Sequence, residues 1–248
     1  MRQDKIGILV PKVIGVKDYS RDEKKLNFCI ETQLEGKPLD EMIELRNPEN
    51  KFKLHNIMGQ AGKLLSRIHR IKTDGYGEFD RNGKADAKSL KDFFEGSPYV
   101  SLEKMIKVAK EAELKSEVMA KAIKLLTDGI NDLNMESPQL THGDWAPKHI
   151  LIKDEKVSGI IDFECAEGAD PVKDFAYWEY FSGDTYPIEA MKAGYLNKNI
   201  FSSSFQERFK LWQLYIGITT LEYYVEESHT SGIRHSKQKL IELTTDKA

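Results

Sequence analysis

Hydrophobic residues recur with two different periods along the chain, and the change of period separates a β-containing start from a longer helical part. Residues 6–16 and 26–34 are rich in β-branched and aromatic residues, and a polar segment at 17–25 lies between them. We expect the two runs to form a β-hairpin, with Pro11 at an edge or a break of the first strand. The sequence Glu-Gly-Lys-Pro at 35–38 then ends the second strand.

The helical period dominates from residue 39 onward. It predicts a short helix at 39–45 and an amphipathic helix that reaches Ile68. His69 follows that helix, and we expect its partner to be backbone carbonyls or a buried carboxylate. Further helices are expected at 101–133, 205–226 and 236–243. The second of these is apolar on nearly all sides, which indicates a buried position.

One hairpin interrupts the helical part. The apolar residues 150–152 and the apolar residues Val157, Ile160 and Ile161 flank the polar residues 153–156, a pattern that is typical of two strands and a turn. A few strands followed by mostly helices, with one hairpin embedded among them, predict the α+β class. The expected architecture is a small β-containing part and a large helical part.

Composition and charge narrow the classes of function. The chain has 248 residues with a net charge of -3 and no basic stripe, so we expect no nucleic-acid partner. It has no apolar run of about 18 residues and no signal-peptide pattern, so we expect no membrane association and a cytoplasmic location. Cys29 and Cys165 lie in apolar runs and are predicted to be buried free thiols.

The candidate chemistry is concentrated at residues 141–174. If the hairpin at 150–161 forms, His149 and Asp162 lie at one end of it, and Asp144 lies just upstream on a loop. Two carboxylates and an imidazole can form part of a site for a divalent ion. A carboxylate that does not bind the metal can orient a hydroxyl nucleophile, and phosphoryl transfer needs both parts.

At these positions the sequence resembles the aminoglycoside phosphotransferase family, whose members are relatives of the protein kinases. His142-Gly143-Asp144, then His149, then residues 161–164 resemble its catalytic and metal loops. Further resemblance lies in the later Asp170 and Asp174 segment, in the strand and hinge at 28–36, and in the helix end at 64–69. The resemblance covers roughly residues 8–225.

The resemblance implies a fold and a set of roles. The fold would be protein-kinase-like, with residues 1–36 as a remnant of a small β lobe and hinge and residues 37–248 as a helical catalytic lobe. Asp144 would orient the proton of the substrate hydroxyl, and Asp162 would bind Mg²⁺. His149 falls where most members carry an asparagine ligand; it is either a metal ligand or a supporting histidine.

Other residues receive supporting roles from the same resemblance. Backbone groups of Glu31, Thr32 and Gln33 would pair with the adenine of ATP, or with the base of GTP. His142 and Asp174 would brace the catalytic loop rather than react.

The phosphate-binding half of such a site is not visible in the sequence. The family's glycine-rich loop and strand lysine have no counterpart before Phe28. A misplaced gene start, a natural truncation or a reduced small lobe would each explain this. We expect weak ATP binding and slow turnover, and an exposed sheet edge that allows homodimerisation.

The expected enzyme is an ATP- or GTP-dependent kinase of a hydroxyl on a small molecule. The leading substrate is an aminoglycoside-like antibiotic, which implies a role in antibiotic resistance. Glu164 and Glu167 belong to an acidic set that suits a cationic substrate, although Glu164 can equally be a salt-bridge partner. Tyr177 and its aromatic neighbours are expected in the core. The alternative function is a catalytically silent kinase-like protein that binds a ligand or a partner.

Overall fold

The computed structural model describes residues 10–21, 24–97, 99, 101–132 and 137–245. The chain forms two compact units, each built from three segments. The first unit comprises Met1–Arg67, Ala146–Phe163 and Thr185–Leu196, and the second comprises Ile68–Trp145, Glu164–Asp184 and Asn197–Ala248. These bounds differ from the division at residue 36 that the sequence suggested, which stays a prediction.

The described residues contain short strands and mainly long helices, in agreement with the predicted α+β class. The strands are β1 (Val13–Arg21), β2 (Lys24–Glu31), β3 (Lys37–Pro38), β4 (Gly77–Glu78), β5 (Gln139–Thr141), β6 (Ile150–Lys153), β7 (Lys156–Ile160) and β8 (Glu167–Ala169). The α-helices are α1 (Lys51–Ile68), α2 (Leu90–Glu95), α3 (Leu102–Glu111), α4 (Ser116–Asp132), α5 (Val172–Ser182), α6 (Ile188–Gly194), α7 (Phe205–Glu226) and α8 (Thr230–Thr244).

In the first unit, β1 and β2 form the predicted antiparallel hairpin. The loop predicted at 17–25 was wrong in extent, because β1 continues to Arg21 and β2 already begins at Lys24. Residues 22 and 23 lie outside the described residues. Backbone pairing carries the ladder from Tyr19↔Leu26 to Arg21↔Lys24, and main-chain hydrogen bonds do not depend on the polarity of the side chains.

The second sheet of this unit has the order β3-β6-β7 and contains the predicted embedded hairpin. Ile150 pairs with Ile160, and the three apolar residues of β6 are buried. The helix predicted at 39–45 was wrong in type. Two 3-10 helices, Leu39–Glu41 and Ile43–Arg46, replace it, because Met42 between them has the non-helical angles φ -87 and ψ 67.

Helices α1 and α6 approach each other closely within the first unit. The predicted apolar stripe of α1 is buried, including Ile57 and Leu65, each with no measurable exposure. A Cβ atom on Gly62 would lie 2.0 Å from the carbonyl oxygen of Met191, and one on Gly194 would lie 1.9 Å from that of Gly59. The two glycines therefore allow a backbone contact that no larger residue permits.

The second unit contains a sheet of order β4-β8-β5 and most of the helices. The helix predicted at 101–133 is interrupted, since α3 ends at Glu111 and Glu113 has a left-handed φ of 55°. Helix α7 has the predicted bounds. Helix α8 begins six residues before the predicted start at 236, because the side chain of His229 accepts a hydrogen bond from the backbone N–H of Gly232 and caps the helix.

Helix α7 lies at the centre of this unit. It packs against α3, α4, α5 and α8, which explains why apolar residues occur on nearly all its sides. Phe94 contacts two α7 residues, with ring centroids 5.2 Å from Trp212 and 5.1 Å from Tyr215. Among the described residues, no helix is both long enough and apolar enough to cross a bilayer.

Both cysteines were predicted to be buried, and this was wrong. Cys29 and Cys165 are free and exposed. Cys29 belongs to a two-stranded sheet on which its neighbours Phe28 and Ile30 are also more than half exposed, so an apolar strand here does not imply a buried one. Cys165 lies in the loop between β7 and β8 rather than in a strand.

Candidate active site

The loop between β5 and β6 begins with a turn that requires glycine. Gly143 has a φ of 82°, which L-amino acids with side chains rarely adopt. A Cβ atom at this position would lie 1.8 Å from the carbonyl oxygen of Cys165. The close approach of these two backbone segments places Asp144 directly after the turn, on a half-buried position.

A single buried carboxylate holds the start of this loop. Oδ2 of Asp174 accepts a hydrogen bond from the backbone N–H of His142 at 2.8 Å, and Oδ1 accepts one from the N–H of Gly143 at 3.0 Å. The same Oδ2 lies 2.9 Å from Nε2 of His69. The side chains of His69, His142 and Asp174 are almost inaccessible to solvent, so these hydrogen bonds form without competition from water. Asp174 thus fixes the backbone at the start of this loop, and its role in bracing a catalytic loop stays a prediction.

Of the partners predicted for His69, the structure shows a buried carboxylate, that of Asp174. Burial on its own raises the pKa of Asp174. The hydrogen bond and charge of His69, with a further contribution from His142, outweigh burial and bring the pKa of Asp174 below its ordinary value. Asp174 is therefore a permanent anion at neutral pH, and an anion is the stronger acceptor for backbone N–H groups.

A second buried carboxylate fixes the start of α5, the helix that carries Asp174. Oδ1 of Asp170 accepts hydrogen bonds from the backbone N–H of Val172 and from Nη1 of Arg208, both at 3.0 Å. Oδ2 of the same residue accepts one from the indole of Trp212 at 3.2 Å. Asp170 thus ties α5 to α7 and has a structural role in this unit.

The hairpin of β6 and β7 brings His149 and Asp162 together, as the sequence predicted. The N–H of Ile161 donates to the carbonyl of His149 at 3.0 Å and extends the ladder by one pair. Nε2 of His149 lies 2.9 Å from Oδ2 of Asp162. His149 is buried, whereas the Asp162 side chain is 40% exposed. The pair therefore presents one face to solvent.

The backbone of Asp162 also has an unusual conformation. Its φ is 66°, in the left-handed region, where aspartate and asparagine are several times more frequent than other residues with side chains. The chain turns sharply at this point, immediately after β7. This turn directs the carboxylate back toward His149.

Within the first unit, His149 and Asp162 each offer one possible metal-ligand atom, and these two atoms lie 2.9 Å apart. Ligands bound about 2.1 Å from a magnesium ion stand roughly 3 Å apart when adjacent, which matches this distance. A carboxylate and an imidazole form a mixed oxygen and nitrogen donor set. This set suits Mg²⁺ less exclusively than an all-oxygen set, and it also accepts softer divalent ions.

The core position predicted for Tyr177 was wrong in part, because this side chain is only half buried. Burial, followed by the charge of Asp144, raises the pKa of Tyr177 well above its usual range. The neighbouring Trp178 and Tyr180 are buried, as predicted.

The two glutamates predicted near the substrate have different surroundings. Glu164 is exposed on the loop that follows Asp162. Glu167 is buried and pairs with Lys173. Burial on its own lowers the pKa of Lys173, but the charge and hydrogen bond of Glu167, together with the charges of Tyr215 and Asp174, raise it above its ordinary value. A substrate contact by either glutamate stays a prediction.

The predicted adenine-binding segment follows β2. The N–H of Thr32 donates to the carbonyl of Lys12 at 2.9 Å, and Oγ1 of Thr32 accepts from the N–H of Lys12 at 2.8 Å. These two hydrogen bonds hold Thr32 against Lys12, the residue that directly precedes β1. Nucleotide contacts of Glu31, Thr32 and Gln33 stay a prediction.

Comparison with solved structures shows the fold. The chain is similar to a thermostable mutant of aminoglycoside phosphotransferase APH(4)-Ia in its apo form, with a TM-score of 0.75 and 19% identity over 96% of this chain and 77% of that one. A ternary complex of a mutant of the same enzyme with AMP-PNP and hygromycin B gives a TM-score of 0.74 and 18% identity, over 96% and 76% of the two chains. A gentamicin complex of APH(2")-IIa gives a TM-score of 0.59 and 16% identity, over 94% and 74%.

A search of curated protein sequences gives no match. The model of one protein family, described as the phosphotransferase enzyme family, matches residues 2–199. This match includes the loop of Asp144, the hairpin of His149 and Asp162, and the anchoring Asp174. The kinase-like fold predicted from the resemblance is confirmed by the solved structures. The chain belongs to the phosphotransferase enzyme family.

Proposed function

We propose that this phosphotransferase moves the γ-phosphoryl group of ATP or GTP to a hydroxyl of a small molecule, and that the leading acceptor class is an aminoglycoside-like antibiotic. The pairing of His149 with Asp162 at 2.9 Å is the observation that carries the proposal. Solved relatives with the same fold support the acceptor and donor classes, since one was crystallised with AMP-PNP and hygromycin B and another with gentamicin.

Asp144 is the proposed base. The acceptor oxygen forms a bond to the γ-phosphorus, the bond from that phosphorus to the bridging oxygen of the nucleotide breaks, and the proton of the hydroxyl passes to the Asp144 carboxylate. The nucleoside diphosphate leaves with the electron pair of the broken bond. The Asp174 carboxylate accepts hydrogen bonds from the backbone N–H groups of His142 and Gly143. Because these two residues directly precede Asp144, the two bonds hold the backbone that carries the proposed base.

His149 and Asp162 are the proposed ligands of a divalent ion. A bound divalent ion would supply positive charge that offsets the charge of the transferred phosphoryl group. Before binding, Nε2 of His149 must carry no proton, since the nitrogen lone pair is the ligand. Because Nε2 of His149 lies 2.9 Å from Oδ2 of Asp162, both proposed ligand atoms face the same small volume.

Glu164 is the proposed acceptor-side carboxylate. It is exposed, two residues after Asp162, and a cationic amino sugar gains from a carboxylate near the transferred group. Glu167 is less suited to this role, because Lys173 already neutralises it in a buried pair. The backbone of Glu31 to Gln33 is the proposed nucleotide-base contact.

A transfer assay tests the proposal. The intact protein is incubated with ATP or GTP, Mg²⁺ and a panel that includes hygromycin B and gentamicin, and the acceptor is analysed by mass spectrometry for one added phosphoryl group. We expect product with the wild type and none with D144N, which keeps the shape of the side chain but is not a base. No product with any acceptor, and equal nucleoside diphosphate release by wild type and D144N, would contradict the proposal.

A further inference from the structure

The segment that links β2 to β3 is held at both ends within the first unit. Residues 32–35 of the described chain form neither helix nor strand. At one end, the N–H of Thr32 donates to the carbonyl of Lys12 at 2.9 Å. At the other end, the hydroxyl of Ser158 donates to the carbonyl of Glu35 at 2.6 Å. The two bonds together fix where the main chain between Thr32 and Glu35 lies.

Ser158 reaches Glu35 because strand β7 is irregular at this point. The register of β7 against β6 shifts between Leu151 and Ile152, and the described ladder leaves Ser158 without an opposite residue. A β-bulge of this kind inserts one extra residue, bends the strand and changes the direction of a side chain. The bulge therefore takes Ser158 out of the regular alternation and lets its hydroxyl bond the Glu35 carbonyl.

Gly36 allows the two segments to approach this closely. Its φ is 126°, which residues with a side chain rarely adopt. A Cβ atom here would lie 2.4 Å from Oγ of Ser158 and 3.0 Å from the carbonyl oxygen of Ile152. After this bend, Lys37 pairs with Ile152 and the chain continues as β3. The bend and the hydroxyl of Ser158 thus fit each other.

From this arrangement we infer that Ser158 is a positioning residue for nucleotide binding, and that its hydroxyl holds the main chain of residues 31–35 where it can contact a nucleotide base. The inference rests on the proposed function, in which the backbone of residues 31–33 contacts the base. It gives the hairpin of β6 and β7 two tasks. The open end of the hairpin carries the proposed ion ligands His149 and Asp162, and its bulge holds the segment for the base.

Other contacts of the segment do not replace this bond. Lys153 forms an ion pair with the Glu35 carboxylate, but both side chains are at least half exposed, and exposed pairs contribute little. That pair also holds the side chain of Glu35 rather than its main-chain carbonyl. Strand β2 gives the segment little support, since Phe28 and Ile30 are more than half exposed. The position of the main chain at Glu35 therefore depends on Ser158.

The expected effect is a loss of affinity for the nucleotide base. Without the hydroxyl, the segment samples other positions, and the apparent affinity falls by the fraction of molecules that present the binding position. The net contribution of one hydrogen bond corresponds to a change on the order of fivefold. We expect S158A to raise the Kd for ATP or GTP, with Mg²⁺, by about this factor. The Kd for tripolyphosphate with Mg²⁺ stays unchanged, because this probe has no base.

Isothermal titration calorimetry of the intact protein with ATP, GTP and tripolyphosphate, each with Mg²⁺, tests the inference. S158T keeps the hydroxyl and is expected to bind like the wild type. K153A is the matched control on the same hairpin, since it removes only the exposed ion pair to Glu35 and is expected to change Kd less than about twofold. A loss of nucleotide affinity in S158A alone, with unchanged binding of tripolyphosphate, supports positioning.

Four results would overturn the inference. An equal loss for tripolyphosphate would indicate an effect on the ion ligands of the hairpin. An unchanged nucleotide Kd in S158A would leave its hydroxyl a structural role only. An equal loss in K153A would show that the side chain of Glu35 matters rather than its carbonyl. A wild type that binds nucleotide no more tightly than tripolyphosphate would show that residues 31–33 contact no base.

These outcomes are separate from that of the transfer assay. A wild type that phosphorylates an acceptor, while S158A binds nucleotide normally, contradicts only the role of Ser158. A wild type that transfers no phosphoryl group, while S158A loses affinity for nucleotide alone, contradicts only the proposed transfer reaction.

Discussion

Replacing Asp174 with alanine tests the structural basis of the site most directly. The change removes both carboxylate oxygens that receive the N–H groups of His142 and Gly143, and it removes the partner of His69. We expect a large loss of stability together with loss of transfer activity. The activity falls because Asp144 directly follows the two released backbone groups.

The magnitude follows from the burial of the partners. Each of the three donors is left in a site that water cannot enter, and each such unsatisfied group costs about 1–3 kcal/mol. The three costs overlap, because one relaxation of the loop can relieve more than one donor. Breaking a buried charged pair costs about 3–5 kcal/mol on its own, so we expect a total of about 4 kcal/mol. For a chain of 248 residues this corresponds to a fall of roughly 12 °C in Tm.

Thermal unfolding followed by circular dichroism, together with urea titration, measures the change. D128A is the matched control. Asp128 also pairs with a basic side chain, Lys124, but the pair lies on the exposed surface of α4. Exposed pairs one turn apart contribute about 0.3–0.5 kcal/mol, so we expect D128A to lower Tm by less than about 2 °C.

The reasoning would be refuted by a loss of less than about 1 kcal/mol in D174A, or by equal losses in D174A and D128A. A loss of stability of the expected size in D174A with full transfer activity would refute only the expectation that Asp174 positions Asp144. In that case the hydrogen bonds from the backbone of His142 and Gly143 to Asp174 would stabilise the unit without positioning Asp144.

Three further predictions follow from the same geometry. In urea titrations, the difference in free energy of unfolding between wild type and D174A is constant above about pH 4 and becomes smaller below it. The reason is that an aspartate whose folded pKa is lowered contributes stability that is lost as pH falls through that pKa. A difference that grows on acidification would contradict this. G143A unfolds at least 2 kcal/mol more easily than wild type, because its Cβ meets the carbonyl of Cys165 in a left-handed conformation, whereas G83A, equally left-handed but with open space around it, loses less. H149N binds Mg²⁺ at least as tightly as the wild type but Zn²⁺ more weakly, as measured by isothermal titration calorimetry, because an amide oxygen replaces the imidazole nitrogen; an unchanged preference would exclude His149 as a ligand.

Much of the fold could be predicted because the repeat of hydrophobic residues in the sequence matches the repeat of the helix or strand that forms. Helix α7 has the predicted bounds, since its apolar residues continue on every side for its full length. Strand β1 extends past its predicted end because the ladder depends on main-chain groups rather than on side-chain polarity. The exposure of Cys29 could not be predicted, because an apolar strand looks the same in sequence whether or not another layer covers it.

The candidate site was predictable where its residues are close in sequence. His149 and Asp162 flank one hairpin, and a short turn fixes which of them face each other. The partner of His69 is 105 residues away, so sequence could indicate a buried carboxylate but not that it is Asp174. The half-buried position of Tyr177 was missed for a related reason, because a partly exposed aromatic residue on a helix has the same sequence pattern as one in the core.

The left-handed backbone of Asp162 has a consequence for saturation mutagenesis at this position. Two selections act there, one on chain conformation and one on the carboxylate itself. A library scored for protein abundance should rank glycine and asparagine first and place valine and isoleucine last, because a β-branched side chain is most strained at a φ of 66°. A library scored for transfer should retain little besides aspartate. The difference between the two rankings separates what the turn requires from what the chemistry requires.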